Sequence, residues 1–226
     1  MQVVQTAAPV QQYRYTSDPS SLTTVFKSLL WAGVVMGFIA LFSDFAQLSM
    51  VFSGSFTDAQ AEANNLRQGS IALLYVALFL ATSVVFMFWV YRANTNCRGF
   101  GARGMKFTPG WAVAWFFVPF ANLYKPYQCM KEIWDVSSDP VHWSHLKGGA
   151  LVGWWWMLWL VGNGVSRIAS AWASRANSIR ALQDATALSI VADVLDLALY
   201  LVLIAVIARI SRKQEILVRG TAPRFE

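Results

Sequence analysis

The sequence predicts an all-α integral membrane protein, a four-helix bundle with a proline-broken, re-entrant or interfacial segment between its second and third spans. Three observations lead to this prediction. Hydrophobic residues make up 56% of the 226 residues and charged residues only 13%, which favours lipid over water as the solvent. The apolar residues form four unbroken runs, each near the roughly 20 residues that cross hydrocarbon. A fifth apolar stretch is too short and too interrupted by proline to cross.

Residues 1–21 are rich in Gln, Ala, Ser and Thr and lack the basic start and apolar core of a signal peptide. We therefore expect a disordered polar tail at this end. The four-span membrane domain is expected over residues 22–216, and residues 217–226 are expected to form a cytoplasmic tail.

Two of the four predicted spans carry no charged residue. The first span, in contrast, contains Asp44, and the fourth contains Asp193 and Asp196. Each span is expected to be a transmembrane helix. In chain order the spans cover residues 28–52, 71–91, 148–166 and 187–208.

The positions of lysine and arginine predict the orientation, because cytoplasmic loops retain positive charge. With four crossings and an inner N-terminus, only Arg67, Arg167, Arg175 and Arg180 of the 18 basic residues lie outside. If the fifth apolar stretch also crossed, the same 18 residues would divide equally between the two sides. The sequence therefore predicts four crossings with both termini in the cytoplasm.

The fifth apolar stretch begins the segment of residues 109–135, which is predicted to remain on the cytoplasmic side. Pro119 lies inside the stretch and breaks a helix by removing a backbone donor. Trp111 and Trp115 suit the depth of the lipid headgroups. Residues 111–124 are therefore expected either to re-enter the membrane from the cytoplasm or to lie flat in its interface.

The residues after this stretch have an amphipathic helical pattern. Met130, Ile133 and Trp134 fall on one side of the predicted helix, whereas Lys131 and Glu132 fall on the other. This pattern is typical of a helix that lies along a membrane surface.

Five short motifs lie in and beside this segment, at residues 91–94, 104–113, 118–123, 126–127 and 131–134. Through them the chain resembles a bacterial membrane family, domain of unknown function 4328, over about residues 71–214. The resemblance implies a small multi-spanning membrane protein with a signature element on the cytoplasmic side, and it implies no known activity. The first span lies outside it. The candidate residues of this signature element are Pro109, Gly110, Trp111, Trp115, Pro119, Asn122 and Pro126.

Three carboxylates inside the spans are candidate functional groups, because a charge in hydrocarbon costs several kcal/mol unless it is paired, protonated or in contact with water. Asp44, Asp193 and Asp196 all lie about 9 to 14 Å below the outer surface, at 1.5 Å per residue. Asp193 and Asp196 face the same side of their helix. The three acids therefore converge if the first and fourth spans pack together.

Two interpretations of this acidic layer remain open. One is a cation or proton site on a transport path. The other is a structural set of carboxylates whose partners are Gln47, Asn163, Arg167 or water.

His142 and His145 are three residues apart and could bind zinc or copper, with Cys97 or Cys129 as a third ligand. The alternative is that both histidines are ordinary polar residues of a loop, since Pro140 lies close by. The two cysteines are too few for a disulfide framework and are expected to be free thiols.

Gly33 and Gly37 in the first span, and Gly149 and Gly153 in the third, have the spacing that lets membrane helices approach closely. The tryptophans of the third span point to several sides of one helix, so some aromatic surface is expected to face lipid, another subunit or a hydrophobic ligand. These tryptophans are Trp154, Trp155, Trp156 and Trp159.

Gly99, Gly101 and Gly104 match the glycine spacing of a dinucleotide-binding loop, but they follow a membrane span instead of a strand. No cofactor is therefore predicted. The net charge of +6 comes from basic residues beside apolar runs, which favours anionic lipid over nucleic acid as a partner. Because no catalytic constellation is evident, the protein is not expected to be an enzyme.

The expected function is that of a structural or accessory subunit of the bacterial cytoplasmic (inner) membrane, which self-associates or joins a larger membrane complex. One alternative is an ion channel or transporter with a cation or proton site at Asp44, Asp193 and Asp196. The other is a sensor of lipid or of a hydrophobic small molecule.

Overall fold

The computed structural model describes residues 12–146 and 148–220, and all regular secondary structure within these ranges is helical. The all-α class is therefore confirmed. Two short 3-10 helices, Ala121–Leu123 and Trp143–His145, flank α4. The α-helices in the described residues are α1 (Ser20–Phe52), α2 (Asp58–Gly99), α3 (Pro109–Ala114), α4 (Lys125–Ser138), α5 (Ala150–Ala173) and α6 (Ile179–Gly220).

Three helices, α1, α2 and α6, are long and apolar enough to cross a membrane. They contain the first, second and fourth predicted spans. The 42 residues of α2 and the 42 of α6 each make a rod about 63 Å long, roughly twice the thickness of a hydrocarbon layer. Both helices therefore continue well beyond the apolar run that the sequence analysis assigns to each span.

The third predicted span, residues 148–166, corresponds to α5, and here the structure differs from the expectation. With 24 residues, α5 is long enough to cross, at about 36 Å, but it is not among the helices that are also apolar enough. Gly162 and Asn163 interrupt its apolar run. Its tryptophans also lower the mean hydropathy, because each indole ring carries a polar N–H group. A fourth crossing by α5 thus remains a prediction.

The N-terminal region also differs from the expected tail of residues 1–21. The helix α1 begins at Ser20, and the preceding residues pack against the end of α2. Asn96 accepts a hydrogen bond from the backbone N–H of Ser17 (3.0 Å) and donates one to its carbonyl (2.9 Å). The ring of Tyr13 lies 5.9 Å from that of the buried Phe100. Residues 1–11 of the predicted tail, and residues 221–226 at the other end, lie outside the described residues.

α6 is the central helix of the fold, because its most extensive contacts are with α5 on one side and α1 on the other. The contact with α1 follows one antiparallel register over most of its length. Gly33 faces Tyr200 and Gly37 faces Leu197. About three turns further along, Gln47 donates a hydrogen bond to Thr186 (2.8 Å).

The two glycines of α1 are required by this close approach. A Cβ atom at Gly33 would lie 2.6 Å from Cζ of Tyr200, and one at Gly37 would lie 2.7 Å from Cδ2 of Leu197. Both distances are shorter than van der Waals contact, so any larger residue would push α1 away from α6.

The largest cluster of buried apolar side chains lies at the end of the helices that the sequence analysis places on the cytoplasmic side. It joins the start of α1, the end of α2, all of α4, the start of α5 and the end of α6. Fully buried members from different elements include Phe26, Val90, Met130, Val152 and Ile207. This end of the molecule is therefore tightly packed around α4.

The packing of α4 corrects the prediction of a helix lying on a membrane surface. Met130, Ile133 and Trp134 are buried, as their apolar character suggests, but Glu132 and Asp135 on the opposite side are 5% exposed as well. Protein surrounds both faces, because α4 packs against α2, α5 and α6. The polar side of α4 therefore faces other protein groups, which bind Glu132 and Asp135, and does not face water.

Candidate functional site

The three acids that the sequence analysis singles out line one cavity. Asp44 comes from α1, and Asp193 and Asp196 come from α6. The cavity has a volume of about 400 Å³ and is also lined by residues of α2 and α5, so all four long helices contribute to its wall. The structure therefore brings together the three carboxylates, as expected if α1 and α6 pack against each other.

Each acid has different hydrogen-bond partners. Asp44 accepts a hydrogen bond from the side-chain amide of Gln68 (2.8 Å), and Asp196 accepts one from the hydroxyl of Tyr75 (3.3 Å). Asp193 differs from both, because its Oδ2 atom is buried and has no hydrogen-bond partner among the described residues. An unpaired buried oxygen of this kind costs about 1–3 kcal/mol, and more if it is charged.

A network of amides continues from Asp44 toward the loop between α1 and α2. Gln47 accepts hydrogen bonds from Gln68 (3.0 Å) and Asn64 (2.9 Å) and donates one to Thr186 on α6. These contacts fix the side chain of Gln68 between Gln47 and Asp44. The wall of the cavity nearest Asp44 is therefore built from polar groups that are held in place.

The positive charge close to these acids belongs to Arg67, and it is engaged elsewhere. Its Nε atom donates to the hydroxyl of Ser43 (3.0 Å), and Nη2 donates to the carbonyl of Ser43 and to Asn64. None of the three carboxylates forms a salt bridge with another described residue. The cavity thus has a surplus of acidic groups over basic ones.

The three acids line the wall of the cavity and do not converge on one position where a metal ion could bind all of them. Within the described ranges, no group of three or more His, Cys, Asp or Glu side chains is close enough to hold a metal ion directly. The cavity could accommodate water molecules, because it is larger than the share of volume that one water occupies. Its chemistry suits a proton or a cation that keeps part of its hydration shell.

Several residues of this site are absent from the sequence analysis. Gln68 precedes the predicted second span and Tyr75 lies within it without an obvious partner, while Thr186 precedes the fourth span. The signal that could have revealed Gln68 is at the start of α2. There Thr57 and Gln60 form a capping box, which starts the helix well before the apolar run.

Of the partners proposed for the acids, Gln47 belongs to the network, but the other two do not touch the carboxylates. Asn163 donates to the carbonyl of Trp159 within α5 (2.8 Å). Another residue of α5, Gly162, instead approaches the site. A Cβ atom there would lie 3.4 Å from Oδ1 of Asp196, so the absence of a side chain lets α5 pack beside this acid.

The signature element at the opposite end is organised by Glu132 of α4. Its two carboxylate oxygens accept hydrogen bonds from the backbone N–H groups of Lys106 (2.6 Å) and Phe107 (3.2 Å). Burial raises the pKa of Glu132, and these N–H donors with the charge of Arg98 act in the opposite direction. The carbonyl of Phe107 in turn accepts hydrogen bonds from Arg98 (2.9 Å) and Asn94 (3.2 Å).

These bonds position the start of α3. Thr108 is the N-cap residue and accepts a hydrogen bond from the N–H of Trp111, and Pro109 follows at the first position, where no N–H is needed. Gly110 occupies the next position. The motif at residues 104–113 is therefore a helix start that α2 and α4 hold by its backbone.

The chain between α3 and α4 makes a series of tight turns. Phe120, directly after Pro119, has a positive φ of 60°, and Asn122 lies in the 3-10 helix that follows. Pro126 then stands at the start of α4. The side chains of Trp111, Phe117, Phe120, Leu123 and Tyr124 are at least half exposed, so this segment presents a continuous apolar surface.

The other two small-residue positions pack differently from the expectation. Gly149 is the N-cap of α5, with a positive φ of 95°, and a Cβ atom there would lie 3.4 Å from the ring of Trp134. Gly153 lies beside Tyr127. Both glycines therefore face α4, and they do not form a seam between two spanning helices.

The tryptophans of α5 differ in burial. Trp155 and Trp156 are buried, and the indole N–H of Trp156 donates to the carbonyl of Leu123 (2.9 Å). Trp159 stacks on Trp156, with 4.7 Å between ring centroids. Trp154, in contrast, is 57% exposed, so the aromatic surface expected on this helix is reduced to one side.

The histidine pair has no third ligand among the described residues. Nδ1 of His142 lies 3.1 Å from a carboxylate oxygen of Asp139, and His145 ends a short 3-10 helix. Cys97 and Cys129 are buried free thiols, and burial raises the pKa of each to about 12. Neither thiol is therefore a ready nucleophile or metal ligand at neutral pH.

Comparison with known proteins gives one family. A model described as a domain of unknown function, DUF4328, matches residues 53–212. The match begins directly after α1 and ends near the end of α6, so it includes the signature element, Asp193 and Asp196, but not Asp44. No curated protein and no solved structure matches the chain.

Replacing Glu132 with alanine should destabilise the signature element. The buried N–H of Phe107 would lose its acceptor, and one such loss lowers the free energy of unfolding by about 1–3 kcal/mol. The measurement is the melting temperature of the purified protein in detergent. Glu215→Ala is the control, because Glu215 is 47% exposed and pairs with Arg219 on the surface. Equal melting temperatures for both variants would contradict the role of Glu132.

Proposed function

The chain belongs to the family of domain of unknown function DUF4328, and on this premise we propose that it is a membrane protein that binds a proton or hydrated cation in its acidic cavity. The proposal is of a channel or transporter and not of an enzyme. The observation that carries it is the single cavity lined by Asp44, Asp193 and Asp196 without a basic partner. Within apolar helices, such a group needs a counter-ion, a proton or water.

The proposed topology has four crossings, with α5 as the third, and both termini in the cytoplasm of an inner membrane. Two features support it. The loops between α1 and α2 and between α5 and α6 contain only Arg175 of the basic residues, whereas residues 92–131 at the opposite end contain six. The helices α1, α2 and α6 are apolar enough to span, and α5 packs along α6 over their shared length. In this topology residues 109–135 form the re-entrant or interfacial segment.

Labelling from one side of the membrane should test this topology. Ser55→Cys and Arg175→Cys place thiols in two exposed loops that should both lie outside, and Arg103→Cys places one inside. A membrane-impermeant maleimide added to intact cells should label the first two variants and not the third. Cys97 and Cys129 should remain unlabelled, because they are buried. Labelling of Arg103→Cys together with Ser55→Cys would contradict four crossings.

A transport role explains the unpartnered acid better than a structural role does. A structural carboxylate gains its stability from donors, as Asp44 does from Gln68. Asp193 has no such donor for Oδ2, so in its charged form it costs free energy that packing does not return. A mobile proton or cation at this position would supply the missing interaction.

We place the closed barrier of the proposed path between the cavity and the signature element. Phe86, Trp89 and Trp155 are buried there, and the rings of Phe86 and Trp155 lie 5.9 Å apart. An ion in the cavity would therefore have access from the side of the α1–α2 and α5–α6 loops, and passage to the other side would require these aromatic rings to move. The proposed mechanism thus has one closed barrier and one accessible binding chamber.

Replacing the acids should abolish flux without unfolding the protein. In proteoliposomes, Asp44→Asn and Asp193→Asn should each reduce proton or monovalent cation flux by at least about tenfold, equivalent to about 1.4 kcal/mol in the barrier. Asp193→Asn should not lower the melting temperature, because Oδ2 has no hydrogen bond to lose. Asp184→Asn, on the exposed side of α6, is the matched control. Flux in both variants equal to that of the control would remove the transport proposal.

A second candidate function is that of a structural or accessory subunit, and one feature of α1 favours it. Five aromatic residues follow one face of this helix and are about half exposed or more. In a monomer this ridge would face lipid, whereas in a complex it would contact another subunit. The ridge consists of Trp31, Phe38, Phe42, Phe45 and Phe52.

The mass of the gently extracted particle should distinguish the subunit role. If α1 mediates self-association, the protein mass of the native particle should be two or more times the 25.2 kDa of one chain. The double variant Phe42→Ala with Phe45→Ala should shift this mass toward that of the monomer. Phe79→Ala with Leu80→Ala removes comparable exposed apolar groups from α2 and is the control. A monomeric particle that copurifies with no other protein would contradict this second candidate.

A further inference from the structure

A second cavity, of about 650 Å³, lies between α2 and the signature element. One wall consists of α2 residues that include Val84, Phe88 and Arg92. The facing wall consists of Gly110, Val113 and Phe117. It is separate from the acidic cavity, with which it shares no lining residue.

The cavity has the shape of a groove along one face of α2. Val84, Phe88, Arg92 and Thr95 recur every three to four residues, so they form a stripe about 16 Å long. The end at Val84 and Phe88 is apolar and lies within the predicted second span. The other end, at Arg92 and Thr95, is polar and lies beside Ser17, just beyond that span.

Arg92 keeps most of its hydrogen-bonding capacity at the polar end. Its Nη1 atom donates to the backbone carbonyl of Asp18 (2.7 Å), and it forms no salt bridge with a described residue. The Asp18 carboxylate lies near enough to feel its charge, but its oxygens accept from the N–H and hydroxyl of Ser20 (2.9 and 3.0 Å). A guanidinium group with free donors at this depth is suited to a phosphate.

We propose that this groove binds one anionic phospholipid of the cytoplasmic leaflet. An acyl chain lies between Val84, Phe88, Val113 and Phe117, and the phosphate contacts Arg92. The match is in charge and in polarity: an amphipathic molecule meets an apolar groove that ends in an unpaired cation at headgroup depth. The inference does not depend on transport through the acidic cavity.

The lipid would lie between two elements of the fold, α2 and α3. α3 has six residues and packs mainly against α2. An acyl chain between them would fill the space that Gly110 leaves open, since a Cβ atom at Gly110 has no other atom within 4 Å. A larger side chain at Gly110 can therefore fill the groove without a clash between its Cβ atom and the rest of the protein.

The test compares lipid binding by the full chain and three variants. Protein in detergent is incubated with dioleoylphosphatidylglycerol or with neutral dioleoylphosphatidylcholine, and bound lipid is counted by native mass spectrometry. Arg92→Gln should reduce affinity for the anionic lipid by about tenfold, to the level of the neutral one. Gly110→Phe should reduce binding of both lipids, because its ring occupies the groove. Arg103→Gln, which removes an exposed charge on the same side, should bind like the unaltered protein.

Two results would overturn the proposal. One is equal loss of anionic lipid in Arg92→Gln and Arg103→Gln, which would indicate attraction to the basic surface as a whole. The other is full retention of lipid by Gly110→Phe, which would place the lipid outside the groove. If Arg92→Gln fails to fold, Gly110→Phe decides alone, because loss of both lipids places them in the groove and full retention places them outside it.

Discussion

The close antiparallel packing of α1 against α6 is the constraint on which the other features depend. Gly33 and Gly37 remove the side chains that would separate the helices, and Tyr200 and Leu197 occupy the space. The same register then carries Asp44 to the level of the acids on α6 and Gln47 to Thr186. If the helices were one side chain further apart, the acids would line two separate surfaces instead of one cavity.

The acids at the two ends of the molecule differ in how far their carboxylate oxygens are hydrogen-bonded. At the signature element, the carboxylate of Glu132 accepts two backbone N–H groups and the apolar side chains packed around α4 are buried, so these interactions favour one arrangement. At the acidic end, amides hold one wall, yet a carboxylate oxygen of Asp193 is left without a donor. Native proteins satisfy nearly all buried polar groups, so an exception inside a cavity is where function is to be sought.

The sequence predicts those features that depend on local periodicity and on burial in lipid. Helical class and the convergence of three acids follow from run length and from depth along each run. The partners of the acids do not follow, because Gln68 lies in a part of α2 that extends beyond the apolar run. Glu132 is the clearest failure of pattern reading: its donors lie 25 and 26 residues earlier in a turn, and helical periodicity carries no information about such distant partners.

The family match begins at Ser53, immediately after the last residue of α1. The ring of Tyr200 and the methyl groups of Leu197 on α6 therefore pack against a helix, α1, that lies outside the matched region. In this chain α1 thus covers one side of α6 and also contributes one acid, Asp44, to the cavity.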